Sequence, residues 1–189
     1  MKRDQLEHVL RAASRIVEQR DFLVVGSAAI LGSFDDVRLP PEATRSDEAD
    51  LAPFDDPDGR KSMSVEGALG QGSPFHDAFG YYADGVDFST AIVPDGWKDR
   101  LIQFSPPGAE PGRGWCLEPH DLAAAKLAAG RAKDYEFVDA LLGAGLLDQH
   151  LMSERVDLLP RHRVVPAYIA KAQSWLATRP KDRSETNRR

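Results

Sequence analysis

The chain lacks the features that mark secreted and membrane proteins. Cys116 is the single cysteine among 189 residues, which excludes an intramolecular disulfide framework and fits a reducing compartment. No stretch approaches the roughly 20 apolar residues of a membrane-spanning helix. The first residues are charged and precede an amphipathic pattern, unlike the apolar segment of a signal peptide. We therefore expect a cytoplasmic protein with no membrane partner.

Basic residues are also scarce. The 24 lysines and arginines are outnumbered by 30 acidic residues, and the formal net charge is -6. This balance excludes a generally basic protein that binds nucleic acid without specificity, although it leaves a local basic patch open. The candidates for such a patch are Lys98, Arg100, Lys171, residues 161–163 and the C-terminal tail. A Gly-x-x-x-x-Gly-Lys-Ser/Thr sequence is absent as well, which excludes a P-loop.

The pattern of apolar residues predicts an α/β protein with a helical C-terminal part. Hydrophobic residues make up 42% of the chain, enough for a sizeable core. Helical spacing occurs over residues 4–19, 27–31 and 62–69. Strand patterns occur over 22–25, 47–53, 101–105 and 114–117, and two more strands are expected between 78 and 94, separated by a turn at 83–85. Beyond residue 117 only helices are predicted, over 120–129, 132–142, 148–157 and 164–177.

These patterns divide the chain into three parts. We expect a core over residues 1–117, in which a small mixed sheet is flanked by helices. Residues 118–178 would form a helical bundle that completes the active site. Residues 179–189 have five basic and two acidic side chains and nothing to bury, so we expect a basic flexible tail.

Two carboxylates stand close together in the segment Arg45-Ser46-Asp47-Glu48-Ala49-Asp50-Leu51. On a strand, Glu48 and Asp50 share one face because side chains alternate. Two adjacent acids repel each other, and a bound divalent metal would offset that repulsion. Mg²⁺ is commonly held by one or two carboxylates and substrate phosphates. The alternative is a pair of solvated acids on an edge strand.

A Gly-Ser pair follows the first predicted strand. Gly26 lets the chain turn tightly and lets a phosphate approach the backbone. If a helix starts at Ser27, its N–H groups would also favour an anion. The alternative is an ordinary strand-to-helix turn that a serine caps.

A third polar cluster interrupts the alanine-rich helix after residue 118. Lys126 is a compact charge suited to a triphosphate, and Arg131 can bind phosphate with two parallel hydrogen bonds. Lys133 and Asp134 follow at once, and Asp134 could orient Lys126 or Arg131. The alternative is a solvated helix face with no ligand.

Together, the three segments resemble the minimal nucleotidyltransferases of the AbiEii kind, and more closely the MenT-type toxins, which transfer nucleotides to tRNA. That group shows a strand ending in Gly-Gly or Gly-Ser, then Arg-x-Ser-x-Asp-x-Asp, then a helical Lys with an Arg and an Asp beyond it. The corresponding segments here begin at Val25, Arg45 and Lys126. The resemblance covers most of residues 20–145, and it departs from the pattern at Glu48, where Asp is usual.

The resemblance implies a set of residue roles. Glu48, Asp50, Lys126 and Asp134 would be catalytic, and Gly26, Ser27, Ser46 and Arg131 would bind a nucleoside triphosphate. Mg²⁺, with Mn²⁺ as its substitute, would be held by Glu48, Asp50 and a third carboxylate on a later strand. For that third carboxylate Asp87 is the first choice and Asp84 the reserve.

The resemblance also implies a biological role. The acceptor would be the 3′ end of tRNA, so the enzyme would block translation, and a cognate antitoxin protein would be its partner. Two other functions stay open at this point. One is nucleotidyl transfer to a protein hydroxyl or a small molecule, because a fold alone does not separate acceptors. The other is a non-catalytic binding partner.

Overall fold

A computed structural model describes residues 1–179, so all of the predicted tail except its first residue lies outside the described residues. The architecture is a five-stranded mixed sheet flanked by helices, with further helices at the C-terminal end. The strands are β1 (Asp21–Val25), β2 (Glu48–Pro53), β3 (Tyr82–Gly85), β4 (Ile102–Phe104) and β5 (Arg113–Cys116). The α-helices are α1 (Arg3–Val17), α2 (Pro41–Thr44), α3 (Arg60–Leu69), α4 (Pro74–Phe79), α5 (Pro119–Ala129), α6 (Ala132–Gly143), α7 (Gln149–Asp157) and α8 (Pro166–Ala177).

The strands lie in the order β3-β2-β1-β5-β4. The central strand β1 pairs antiparallel with β2 and parallel with β5. On the outside, β3 runs parallel to β2, and β4 runs antiparallel to β5. The mixed α/β fold predicted from the sequence is therefore confirmed.

One face of the sheet is covered by α1. The buried apolar residues of this helix, Leu6, Val9, Leu10 and Ala13, recur at helical spacing, so they form one apolar stripe. Gly114 of β5 lets the helix come close, because a Cβ built on it would lie 3.2 Å from Cδ1 of Leu10. The opposite face of the sheet carries the carboxylates described below.

The helices from α5 onward pack on one another. Eight of the eleven residues of α5 are buried, as expected for a helix that is apolar on nearly all sides. This helix contacts α6, α7 and α8, and it ends at Gly130, whose φ of +72° suits a left-handed C-terminal residue. Among residues 1–179, no helix is both long enough and apolar enough to cross a membrane.

One local prediction is wrong. The region from 78 to 94 holds the single strand β3, because the expected turn residues Asp84 and Gly85 lie inside it and pair with β2. Gly85 belongs there for packing, since a Cβ on it would lie 1.9 Å from the carbonyl oxygen of Ser62. The helix predicted over 27–31 is present as a short 3-10 helix, Ser27–Gly32.

A buried carboxylate joins α5 to its surroundings. Asp121 has no exposed surface, and its oxygens accept hydrogen bonds of 2.8 and 2.9 Å from Arg100. Arg155 of α7 lies 3.1 Å from the same carboxylate. Arg100, a candidate for the basic patch, is therefore engaged within the protein.

We expect Asp121→Ala to lower the free energy of unfolding by about 3–5 kcal/mol, because it leaves two partly buried arginines without their partner. The matched control is Asp139→Ala, which removes a pair with Arg179 at an aspartate side chain that is 53% exposed and should cost about 1 kcal/mol or less. Urea denaturation of the two variants would measure both values. Equal losses would contradict a structural role for this cluster.

Candidate active site

The two predicted acids lie on the open face of the sheet. Glu48 and Asp50 share that face of β2, and the register places Asp50 between Val25 of β1 and Asp84 of β3. Paired residues on neighbouring strands point to the same side of a sheet. Three carboxylates are thus gathered at one place, and the hydroxyl of Tyr82 donates a 3.0 Å hydrogen bond to Glu48.

The third carboxylate of this face is Asp84, the reserve candidate, and not Asp87. Asp87 is exposed and accepts a hydrogen bond from the backbone N–H of Ser89 at the start of a 3-10 turn. Oδ1 of Asp84, in contrast, is buried and has no hydrogen-bond partner among residues 1–179. Burial and the charges of Glu66, Asp50 and Glu48 raise the pKa of Asp84 to about 6.

Gly26 lies directly against Asp50. Its φ of 63° and ψ of -165° are backbone angles that are essentially restricted to glycine. A Cβ built on Gly26 would lie 1.9 Å from Oδ2 of Asp50. Glycine is therefore required twice here, for the backbone conformation and for the space that the carboxylate occupies.

Lys126 approaches the acids from α5. Its side chain is 10% exposed, and Nζ lies 3.3 Å from Oδ1 of Asp134 and 4.6 Å from the ring centre of Phe137. Burial lowers the pKa of Lys126, and Asp134 opposes that shift. The ammonium group is therefore held in place by a carboxylate and an aromatic face.

Asp134 holds a second cation in the same way. Arg131 donates hydrogen bonds of 2.6 and 3.2 Å to its two oxygens, while Asp134 itself has no exposed surface. Although burial opposes the shift, Arg131 and Lys126 lower the pKa of Asp134. The prediction that Asp134 orients Lys126 or Arg131 matches the geometry, since it contacts both.

The opposed charges meet in a cleft that has two chambers. The polar chamber, of about 270 Å³, is lined by Gly26, Ser27, Glu42, Arg45, Ser46, Glu48, Asp50, Lys126, Arg131, Lys133, Asp134, Glu136 and Phe137. The apolar chamber, of about 400 Å³, shares five of these residues, namely Gly26, Glu48, Asp50, Lys126 and Arg131. Its other lining residues are Val25, Val86, Ala91, Ile92, Leu117, Leu122, Ala125 and Ala129. The acid pair thus lies where the two chambers join.

All predicted site residues except Asp87 line the polar chamber. Sequence reasoning did not assign a role to Tyr82, whose place beside Glu48 depends on strand register, or to Arg45, which begins the acidic segment. Arg45 lies at the mouth of the cleft, 3.4 Å from Glu136. The sequence signal for Arg45 is that a basic residue occurs in the same segment as two acids.

The structure uses most of the expected basic patch for internal contacts. Arg163 donates hydrogen bonds to the carbonyl oxygens of Ser89 and Ala91. Lys98 lies over the ring of Trp97, and Lys171 lies over that of Tyr135. The exposed cations nearest to the acids are instead Arg45, Arg131 and Lys133, at the polar chamber.

The carboxylates fit a divalent ion that also binds phosphate. Glu48, Asp50 and Asp84 share one face, and Glu48 and Asp50 line the cleft. Within residues 1–179, no three His, Cys, Asp or Glu side chains are grouped closely enough to hold a metal by themselves. Mg²⁺ does not require such a group, because it usually keeps waters and takes one or two carboxylates together with substrate phosphates.

We expect Gly26→Ala to lower the free energy of unfolding by at least about 2 kcal/mol, through backbone strain and the displacement of Asp50. Gly59→Ala is the matched control, because Gly59 also has a positive φ, of 72°, but has open space around its Cα. Gly59→Ala should lower the free energy of unfolding by about 1–2 kcal/mol, because alanine is that much less stable in a left-handed conformation. Urea denaturation compares the two, and an equal or smaller loss for Gly26→Ala would show that the contact with Asp50 is unimportant.

Comparison with known proteins agrees with this geometry. Searches of curated proteins and of solved structures each found no match. Residues 4–160 match the model of the family DUF6036, described as a nucleotidyltransferase of unknown function. This range includes the carboxylates of β2 and β3, the Gly-Ser turn and the cations of α5 and α6. The chain therefore belongs to DUF6036, a nucleotidyltransferase family of unknown function.

Proposed function

We propose that the protein is a magnesium-dependent enzyme that transfers a nucleotidyl group from a nucleoside triphosphate to an acceptor hydroxyl. The observation that carries the proposal is the meeting of Glu48 and Asp50 with the cations Lys126 and Arg131 in one cleft. Carboxylates can hold a metal, and cations can hold phosphates.

Glu48 and Asp50 would hold the ion together with the substrate phosphates, with Mn²⁺ as its substitute. A bound ion supplies Lewis acidity and offsets the negative charge that develops on the phosphates. The remaining work is positioning and electrostatic stabilisation, as in other phosphoryl transfers. Gly26 and Ser27 would hold the triphosphate from the β1 side of the cleft, and Ser46 from the β2 side.

Lys126 and Arg131 would bind the triphosphate and offset charge on the departing pyrophosphate. Because Asp134 and Phe137 already fix these side chains, little reorganisation is needed when the nucleotide binds. Lys133 extends the positive wall of the chamber. Asp134 would thus act by orienting the two cations.

The acceptor oxygen would attack the α-phosphorus as the bond to the bridging oxygen of the β-phosphate breaks and pyrophosphate leaves. The hydroxyl proton would pass to a carboxylate of the same face. Asp84, which lies beside Asp50 and is not needed to hold the ion, would be the proton acceptor. In its nucleotide-bound form the site would then contain the donor, the acceptor and the proton acceptor together.

For the acceptor we propose the 3′ end of tRNA, so that the enzyme acts as a toxin that blocks translation and pairs with a cognate antitoxin protein. The support is the order and content of the three motifs, which resemble MenT-type toxins. Arg45, whose side chain is 65% exposed at the polar chamber, would receive a phosphate of an RNA end. Residues 1–117 would then be the catalytic core, and residues 118–178 would complete it.

A protein hydroxyl or a small molecule is the second candidate acceptor. The observation that favours it is the engagement of Arg100, Arg163 and Lys171 within the protein, which leaves few cations for a long RNA. The net charge of -6 also opposes RNA binding outside the cleft.

We expect Asp50→Asn to reduce nucleotidyl transfer by roughly three orders of magnitude, because metal-ion stabilisation is worth several kcal/mol. Asp47→Asn is the control, since Asp47 is exposed and precedes β2.

Mg²⁺ at about 100 times its Kd should stabilise the wild type by ~2.7 kcal/mol and Asp50→Asn much less. In EDTA the order should reverse, with Asp50→Asn at least as stable as wild type, because it removes charge repulsion. Thermal unfolding and a transfer assay measure these effects, and full activity of Asp50→Asn would refute the proposed site.

We expect purified protein, Mg²⁺ and each labelled nucleoside triphosphate to give a labelled tRNA band on a gel. Periodate oxidation of the tRNA 3′ end should abolish the label, because it destroys the acceptor hydroxyls. Label on protein but not on tRNA would reject the tRNA acceptor and favour the protein hydroxyl. Label on neither, with pyrophosphate released from the nucleoside triphosphate when small alcohols are added, would favour the small-molecule acceptor.

A further inference from the structure

The two chambers have opposite chemical character because of the sheet register. A row of side chains crosses the open face from Asp84 through Asp50 to Val25. It continues to Leu117, whose N–H donates to the carbonyl of Val24 just beyond β5. The row therefore changes from carboxylate to aliphatic within four strands, and the apolar chamber begins where the charges end.

Helix α5 forms a second wall of the apolar chamber. Leu122, Ala125 and Ala129 lie on one stripe of the helix, three and four residues apart. Ala125 is partly exposed although the residues on both sides of it are buried. Since Ala125 lines the chamber, the chamber is the space that exposes it. A larger side chain at this position would project into that space.

The third wall is the segment that follows β3, and the C-terminal helical part fixes it. Val86, Ala91 and Ile92 of this segment line the chamber. Arg163 binds the carbonyls of Ser89 and Ala91. The N–H of Asp95 donates a 2.8 Å hydrogen bond to the carbonyl of Leu158. The wall is therefore built in place and does not need a ligand to form it.

We propose that this apolar chamber binds the nucleobase of the nucleoside triphosphate, and that Ala125 sets the size of the base site. The inference rests on the proposed function, which places the phosphates in the polar chamber. Five residues are common to the two chambers, so one extended molecule can occupy both. A flat, weakly polar ring is the part of a nucleotide that an aliphatic chamber accommodates.

The composition of the chamber determines how bases are distinguished. All eight lining residues that it does not share with the polar chamber are aliphatic or alanine, so their side chains offer no hydrogen bond to a base edge. Apolar pockets discriminate between ligands about 10–200-fold per methylene, far less than sites that hydrogen-bond their ligand. The chamber should therefore distinguish bases by size, and bases of the same size should bind within about tenfold of one another.

The test separates the chambers by comparing two ligands in the presence of Mg²⁺. Isothermal titration calorimetry would measure a non-hydrolysable nucleoside triphosphate and inorganic tripolyphosphate, which has no base. Ala125→Leu should weaken nucleotide binding at least tenfold and leave tripolyphosphate unchanged. Ala170→Leu is the matched control, since Ala170 is an exposed alanine within α8 and should change neither affinity.

Ile92→Ala, on the opposite wall, is the second variant, and it should weaken nucleotide binding about threefold or more with tripolyphosphate unaffected. Unchanged nucleotide affinity in both Ala125→Leu and Ile92→Ala would overturn the base site and leave the proposed function intact. Equal weakening of both ligands would overturn it as well. If the wild type bound neither ligand, both the proposed function and the base site would be wrong. A preference above about 100-fold for one base would overturn selection by shape.

Discussion

The repulsion among Glu48, Asp50 and Asp84 is the constraint on which the site depends. Three carboxylates on one face of adjacent strands raise the energy of the folded chain unless positive charge is brought near. Burial and the charge of Glu48 raise the pKa of Asp50, and Lys126, Arg131 and Lys133 act in the opposite direction. The cations of α5 and α6 therefore offset the negative charge on the sheet, and the helices that carry them must be held in fixed positions.

Two buried carboxylates provide that placement. Asp121 binds Arg100 and Arg155 near the start of α5. Asp134 binds Lys126 and Arg131 near its end. Both aspartates are fully buried, so removing one partner of either aspartate would greatly lower the stability of the protein. The helix is thus fixed at both ends by charge, while its apolar sides pack against α7 and α8. The alanines between these ends leave room for the chamber.

Much of this arrangement could be predicted from the sequence, and the exceptions have physical reasons. Val25-Gly26-Ser27 and the acids of β2 were recognised because strand periodicity and motif spacing are local properties. The choice of Asp87 over Asp84 failed because Asp84-Gly85 has the composition of a turn, and only pairing with Asp50 and packing on Ser62 make it a strand. The roles of Arg100 and Arg163 were not predictable, since their partners lie 21 and more than 70 residues away. Long-range ion pairs leave no periodic signal in a sequence.

The position of Asp84 on an edge strand has a consequence for the dynamics of the site. Within residues 1–179, β3 is four residues long and pairs with one strand, β2, while the N–H of Gly85 on its outer side donates to Glu66 of α3. Edge strands of this length open locally at less free energy than the whole domain needs to unfold. A ligand that needs Asp84 together with Asp50 would bind only the closed form of β3, and it would tie the strand to the sheet by mass action. Slower exchange of the amide hydrogens of β3 would then show that a ligand occupies the cleft.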